Sequence, residues 1–394
     1  MRLPSTYSLN PQDIWNAIRA GNQTHMRMTF NAQDIVLTEA DIDMSAGIDI
    51  DDAFNSDDII KIGKVVCKKL TTRVILSDRL DNFKWVDRFK LEFGVEINGS
   101  TQWTVFGYFN GQIPKKIDNN TMVEYTAYDD AYKFDVPRTE RFISLLQEHS
   151  GMIFLSELLD LICGYVGVKK NFSSYNIGGG CKKSDIKDFS TLKEIMEKIA
   201  EGLGVNFFCN EKGECDFTWF GKRNRNFYLL IDQTDEFALQ YDEVYNQKGY
   251  KWSEFETRTW NKYSETTWQF VTGFITDKTI NEVGVYIDNE LEDWYGTGLA
   301  NRPIYNITDN VFTGGDSPIS YYGDSTAELV FNNLNPLGSI TPLSVECTGN
   351  WMLEAGDYVD VKISADKTIR TPIFYRSFHW GGNCTDTIET GSTI

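Results

Sequence analysis

Histidine is nearly missing from this chain. Its 394 residues hold three, His25, His149 and His379, each in a different region. No HExxH and no GxSxG occurs, so two common hydrolase arrangements lack their local signatures. Cysteine is present but unpatterned. Cys67, Cys163, Cys181, Cys209, Cys215, Cys347 and Cys384 are odd in number and scattered, with no CxxC, which excludes the usual disulfide frameworks and zinc ribbons. They read as reduced, mostly buried thiols of a chain made in a cytoplasm. A long apolar run is lacking too. Met1–Trp15 has no apolar core of signal-peptide type. The most apolar stretch, Met152–Val168, carries Glu157 and Asp160 and is too short for a bilayer span, so it reads as a core helix. The expectation is a soluble chain that no N-terminal signal exports. Positive charge is scarce: 38 Lys and Arg face 57 Asp and Glu, a net charge of −19. Affinity for phosphates and for anionic lipid comes from cationic side chains, which this surface is short of.

Aromatic residues are abundant, at 14%, and suit strands and buried interfaces. The length allows about two to four domains, since single cores stop growing near 250–300 residues. Asn10 and Pro11 mark the start of a short helix with Ile14, Ala17 and Ile18 as its buried stripe, and Gly21 marks its stop. From Met26 to Thr126 the pattern alternates, as in Ile42-x-Met44, Ile48-x-Ile50, Phe89-x-Leu91-x-Phe93-x-Val95 and Trp103-x-Val105. With turn signals at Asn98-Gly99 and Asn110-Gly111, this predicts antiparallel strands of a barrel or sandwich.

Residues 137–225 differ. Leu155, Leu158, Leu159 and Ile162 fall at helical spacing. Thr191 and Glu194 form a capping box for a second helix with the stripe Leu192, Ile195, Met196, Ile199 and Leu203, ended by Gly204. A hairpin with its turn at Asn210–Gly213 follows, which makes this a small α+β unit. From 226 to 394 the chain is again strand-like and rich in Trp and Tyr, with a Gly-, Asp- and Pro-rich loop near 309–324, a short helix near Ser325–Asn333 and a turn at Gly356-Asp357.

Candidate chemistry is sparse. Asp34 to Asp58 holds nine carboxylates and no Lys or Arg. Asp41, Asp43 and Ser45 imitate the start of a calcium loop, but Ala46 stands where that loop needs Gly. The run reads better as a strand with an acidic solvated face. Gly178-Gly179-Gly180 before Lys182, Lys183 and Ser184 lacks P-loop spacing and reads as a loop. A carboxylate pair for glycoside cleavage is not selectable among so many acids. The aromatic stretch from Trp252 to Tyr295, with Trp260, Trp268 and Trp294, offers a carbohydrate-binding or glycan-active alternative. As cross-strand pairs and core it has an ordinary explanation. No catalytic residue, cofactor or metal site is expected.

The order of segments resembles the hub family of phage tails: the baseplate-hub protein of contractile tails and the N-terminal hub region of siphophage tail-associated proteins. Ile42–Ile50 precedes Asp57-Asp58-Ile59-Ile60-Lys61-Ile62-Gly63, similar to the opening of the family's first barrel. Phe106-Gly107-Tyr108-Phe109 leads to Val123-Glu124-Tyr125-Thr126-Ala127-Tyr128-Asp129-Asp130, which resembles its closing strand. Ser156–Val168 and Thr191–Gly204, with a Lys-Gly hairpin, resemble its α+β insert. Val244-Tyr245-Asn246 and Ile304–Asn310 share its flavour. The fullest match is Gly349-Asn350-Trp351-Met352-Leu353-Glu354-Ala355-Gly356-Asp357-Tyr358-Val359-Asp360-Val361, where Trp351 replaces the family's Pro.

The resemblance implies a mainly β, multidomain chain with an α+β insert and two tube-type barrels. Residues 1–136 would hold the N-terminal helix and first barrel, and 137–225 the α+β domain. The second barrel would begin within 226–335, at about 226–262, and be completed by 336–394 after an insertion. The implied role is a structural hub of a tail tip or baseplate: a homotrimer forming a pseudo-hexameric ring that continues the tail tube and leaves a channel for DNA. Implied partners are the tail tube protein, distal tail protein, tape-measure protein and tip, spike or receptor-binding proteins. DNA would pass without specific binding, and no membrane anchor is implied. The location would be the virion, after assembly in the host bacterial cytoplasm. The same hub in a contractile injection system would carry no DNA. The chain stops soon after its last strand, so no peptidase or glycan-cutting domain is expected to follow. A negative lumen repels DNA, and Asp41, Asp43, Asp49 and Asp51 are the expected acidic channel face.

Overall fold

Alternation between buried and solvated positions builds most of this molecule, and it does so across regions far apart in sequence. The computed structural model describes residues 11–53, 62–118, 121–147, 151–186, 188–218, 229–231, 238–240, 282–288, 290–296, 304–313, 318–321, 325–334, 344–364 and 367–389. Helix α1 (Pro11–Arg19) buries Ile14, Trp15, Ala17 and Ile18, so its stripe is wider than the spacing of Ile14, Ala17 and Ile18 predicts. Asn10 lies outside the described residues.

Seven strands of four or more residues follow: β1 (Thr24–Phe30), β2 (Ile35–Thr38), β3 (Ile48–Ala53), β4 (Lys69–Ile75), β5 (Arg88–Ile97), β6 (Ser100–Gly111) and β7 (Met122–Asp129). The pairs β2–β1, β1–β5, β5–β6, β6–β7 and β7–β4 are all antiparallel. Beyond β2 the chain reaches back to β4 through an Ile42↔Val74 bridge, and the Asp43 N–H donates to the Arg73 carbonyl at 2.9 Å. That contact closes the first barrel. The turn at Asn98-Gly99 is present, both residues at positive φ (52° and 76°), as a tight hairpin of this type requires.

Two expectations differ from the structure. Ile42–Ile50 is not one strand. Asp43 accepts hydrogen bonds from Ser45 N and Oγ and turns the chain at 44–46, and Gly47 sits at φ +62°. A short side chain that bonds its own backbone two residues on competes with extended structure. Asn110-Gly111 is not a turn either but the end of β6. A Cβ at Gly111 would collide with the Trp85 carbonyl and the Tyr125 hydroxyl, so this glycine serves close approach.

The helical region has helices α2 (Glu140–Gln147), α3 (Leu155–Val166) and α4 (Leu192–Leu203), then strands β8 (Asn206–Cys209) and β9 (Glu214–Thr218). Thr191 Oγ1 accepts from Glu194 N, Glu194 reaches back to Thr191 N, and Gly204 ends α4 in the left-handed conformation, as the capping box predicts. Leu155, Leu158, Leu159, Ile162, Leu192, Ile195, Met196 and Ile199 are all buried in one core. That core also takes Val65, Ala131 and Phe134 from the barrel side and Phe312, Ile319 and Leu329 from much later. Residues 62–67 lie beside β8: Gly63 N donates to Val205 O and Val66 N to Phe207 O, each 2.8 Å. A Cβ on Gly63 would stand 2.6 Å from that of Glu201, which accounts for glycine there.

Later come β10 (Glu282–Ile287), β11 (Glu290–Gly296) and β12 (Ile304–Thr308), a small sheet in the order β11-β10-β12, and helix α5 (Thr326–Leu334), where a short helix is expected. The chain ends with β13 (Ser344–Thr348), β14 (Tyr358–Ser364), β15 (Lys367–Pro372), β16 (Tyr375–Trp380) and β17 (Cys384–Glu389). Residues 229–231 pair with β14 and 238–240 with β13, so the start of the 226–262 segment joins the C-terminal strands. The outer regions are not independent: β16 pairs with β3, from Tyr375↔Ala53 to Trp380↔Ile48. The order 238–240, β13, β17, β16, β3, β4, β7, β6, β5, β1, β2 is one hydrogen-bonded sheet. Its inner face is one core, in which Phe93 stacks on Trp351 (5.7 Å) and meets Phe378 edge-on (5.2 Å).

Candidate functional site: a polar face across six strands

Strand register sets the site. One row crosses the shared sheet as Glu346, Thr387, Ser377, Asp51, Lys69 and Tyr128; the next crosses it as Thr348, Thr385, His379, Asp49, Thr71 and Thr126. Each row takes one residue from β13, β17, β16, β3, β4 and β7 in turn. Because side chains alternate between faces, all twelve share the face opposite the core. It is made of hydroxyls and carboxylates, with Lys69 and His379 as its basic groups. Nothing in either row buries an aliphatic side chain.

Asp49 and Asp51 sit at its centre, where the N- and C-terminal regions meet. Asp49 Oδ1 lies 2.7 Å from His379 Nδ1, and the Asp49 side chain is 53% exposed. Asp51 Oδ1 accepts from Tyr375 Oη and Ser377 Oγ, each 3.0 Å. Partial burial and then this bond raise the Tyr375 phenol above its ordinary pKa, so it stays a donor.

Asp41 and Asp43, expected on the same face, lie instead on the segment leading into the 44–46 turn. Asp41 takes the Thr38 N–H at 2.8 Å and pairs with Arg79. Asp43 faces Arg73 at 3.8 Å. The Ser45 hydroxyl bonds Asp43 and holds its carboxyl below the usual range. The structure therefore brings together two of the four expected carboxylates and gives the other two to arginines.

Other expected features fall elsewhere. The Asp41-x-Asp43-x-Ser45 segment is this turn. The run from Gly178 to Ser184 forms short pairings and a one-turn helix: Gly180–Lys182 pairs with Met152–Phe154, and Asp185 takes the Lys182 N–H at 3.2 Å, where a phosphate would need it. His25 lies between Glu39 (2.7 Å) and Glu96 (3.3 Å). His149, Trp252, Trp260 and Trp268 lie outside the described residues. Of the aromatic stretch, Trp294 and Tyr295 are on β11, 47% and 37% exposed, and Tyr295 packs on Phe331 at 5.3 Å.

Sequence reading missed the charged residues that hold this face from behind. Arg376, on the core side of β16, is fully buried. Its Nε donates to Asp386 Oδ1 at 2.7 Å and its Nη2 to Asp386 Oδ2 at 3.0 Å and Asn350 O at 2.7 Å; Nη1 bonds Leu353 O. Asp386 Oδ2 also takes the Asn350 N–H at 2.7 Å. The Gly349–Asp357 segment, the fullest sequence match, is thus pinned under the sheet by one ion pair. An alternation broken by a charge on each of two strands joined by a short hairpin is the signal that could have found it.

No family model matches the sequence, and no curated protein does. Solved structures do match. The prophage MuSo2 43 kDa tail protein from Shewanella oneidensis is 10% identical, at TM-score 0.44, over 94% of this chain and 97% of that one. The tail protein from Neisseria meningitidis MC58 is 10% identical, at TM-score 0.48, over 94% and 97%. The prophage tail protein gp18 from Listeria monocytogenes EGD-e is 11% identical, at TM-score 0.47, over 94% and 95%. The mainly β chain with its α+β insert is thus similar, over nearly its whole length, to proteins of phage tails.

Proposed function

We propose that the chain is a structural hub of a phage tail tip or baseplate, acting by assembly and not by catalysis. In this reading it forms a homotrimer whose ring joins the tail tube to the distal tip. The observation that carries it is the fusion of the outer regions through β3 and β16 into one sheet with a continuous hydroxyl and carboxylate face. A wall of that chemistry offers DNA no array of cations, so no counterions are released on contact and the polymer slides. The segment order that resembles the hub family supports the same reading. Partners would be the tube, distal tail, tape-measure and tip proteins.

Two measurements test it. Light scattering behind a sizing column should give three times the 45.1 kDa chain mass, with a threefold ring in negative stain; a monomer that forms no ring with its tube protein would sink the proposal. With Asp49 and Asp51 replaced by Lys, assembled particles should eject DNA more slowly, and unchanged kinetics would remove the face from the channel. A second reading, glycan binding, rests on the exposed Trp294 on β11, and a glycan array with Trp294→Ala as control decides it.

A further inference from the structure

Asn-Gly occurs twice in the chain, at Asn98-Gly99 and Asn110-Gly111, and the fold gives the two dipeptides opposite surroundings. The pair has a chemistry of its own. The nitrogen of the second residue can attack the Asn side-chain carbonyl, and glycine has no Cβ to obstruct the approach. Closing that five-membered ring asks for an Asn amide able to turn, an N–H outside any ladder, and a backbone able to rotate between them.

Asn98-Gly99 meets all three demands. Both residues are exposed at the tip of the β5–β6 hairpin, beyond the last ladder pair, Ile97↔Ser100. In a turn of this kind the closing hydrogen bond joins the flanking residues and leaves the second central N–H outside the ladder. Among the described residues nothing bonds the Asn98 side chain or the Gly99 N–H. A Cβ on Gly99 would meet nothing within 4 Å, so the tip has room to rearrange.

Asn110-Gly111 meets none of them. Asn110 Nδ2 donates to Asp130 Oδ1 at 3.0 Å and to the Tyr128 carbonyl at 3.4 Å. Asp130 is buried and held in turn by Arg88 and Lys133. On the backbone, Asn110 pairs with Arg88 on one side and Tyr128 on the other, and Gly111 pairs with Ala127. Gly111 is also packed against the Trp85 carbonyl and the Tyr125 hydroxyl. Rotating this peptide would break two ladders at once.

We infer that Asn98 is a site of non-enzymatic modification, with water as the co-reactant. Gly99 N gives its proton to solvent base and bonds to Asn98 Cγ; the Cγ–Nδ2 bond breaks and ammonia leaves. Water then opens the cyclic imide. Opening at Cγ gives aspartate. Opening at the Asn98 main-chain carbonyl routes the backbone through Cγ and gives isoaspartate. No group is oxidised or reduced, since an amide and water become a carboxylate and ammonia. Either product puts a new negative charge on the hairpin tip. Isoaspartate also adds a carbon to a turn of two residues, so Ile97↔Ser100 is the pair that yields. Glu96 limits the spread: its N–H donates to Gln23 O at 2.9 Å, and its carbonyl takes Asn22 Nδ2 at 2.7 Å.

Trypsin supplies an internal control. Cleavage after Lys90 and Lys115 releases one peptide that carries both dipeptides. The full chain is aged folded in mildly alkaline buffer, and a second sample is aged in urea. Fragment masses place the exchange of NH2 for OH at 98 or 110, and chromatography separates aspartate from isoaspartate. In urea the two sites should convert at comparable rates. In the folded chain Asn98 should convert at least about tenfold faster than Asn110, because local opening is nearly free at an exposed turn and approaches the global cost in a paired strand. Conversion at Asn110 as fast as at Asn98 in the folded chain would overturn the inference. So would a folded Asn98 that stays intact while Asn98 in urea is consumed. Both outcomes are read on the unaltered sequence, with no variant that has to fold.

Discussion

Aromatic rings take a larger share of the core of the shared sheet than of the core of the α+β unit. Phe30, Phe89, Phe93, Phe106, Phe109, Phe378, Trp351 and Trp380 crowd the first, with Arg376 and Asp386 buried beside them. Leucines and isoleucines of α3 and α4 dominate the second. The difference follows from distance along the chain. The helices are neighbours in sequence, and a 3.6-residue stripe suffices to bring them together. The sheet must join strands hundreds of residues apart, where a slip of one residue would turn every side chain over. Large rings of fixed geometry and one directional ion pair specify a single register; interchangeable aliphatic groups do not.

That contrast can be broken at its strongest point first. Arg376→Leu leaves Asp386 buried without its charge partner, and the loss should be about 3–5 kcal/mol by urea unfolding. Adding Asp386→Leu should recover part of it, because an apolar pair avoids the stranded charge; a double variant no more stable than the single one would deny that the pair acts as a unit. Next, Phe93→Ala should cost about 3–5 kcal/mol and Leu159→Ala about 2–5 kcal/mol. The informative quantity is where each acts. Phe93→Ala should deprotect amides of β3 and β16 together, and Leu159→Ala those of α3 and α4 alone. Smallest, Thr191→Ala removes the α4 cap and should cost about 1 kcal/mol in the α+β unit, leaving β3–β16 protection unchanged.

The same contrast explains what could be read from sequence. Helix α4 was legible to the residue, because capping and periodicity are local: Thr191, Glu194 and Gly204 lie where the chemistry places them; α3 was legible in its buried stripe but not in its start, since Met152–Phe154 is a strand and the helix runs Leu155–Val166. The alternation at Ile48–Ile50 was legible too, and with it Asp49 and Asp51 on the solvated face. The turn at 44–46 was not, because Ile42-x-Met44 keeps a strand-like period while Asp43 bonds its own backbone. Nor was Lys68 or Arg376, since a basic residue in an alternating strand looks solvated until its buried partner, far away in sequence, is known.

The pairing of β3 with β16 has a consequence during synthesis. Asp49 and its contact His379 are 330 residues apart, so at ribosomal rates of about 5–20 residues per second the first strand waits roughly 15–65 s for the last. Through that interval one side of β3 is an open edge, the feature by which nascent sheets recruit wrong neighbours. Asp52 points inward from it. A carboxylate aimed at the core is costly to cover with a stranger's hydrocarbon, and its correct cover, the Ala355 N–H, arrives only with the chain's own late-made segment. The acid that takes the Ala355 N–H in the finished sheet can thus guard the unfinished one.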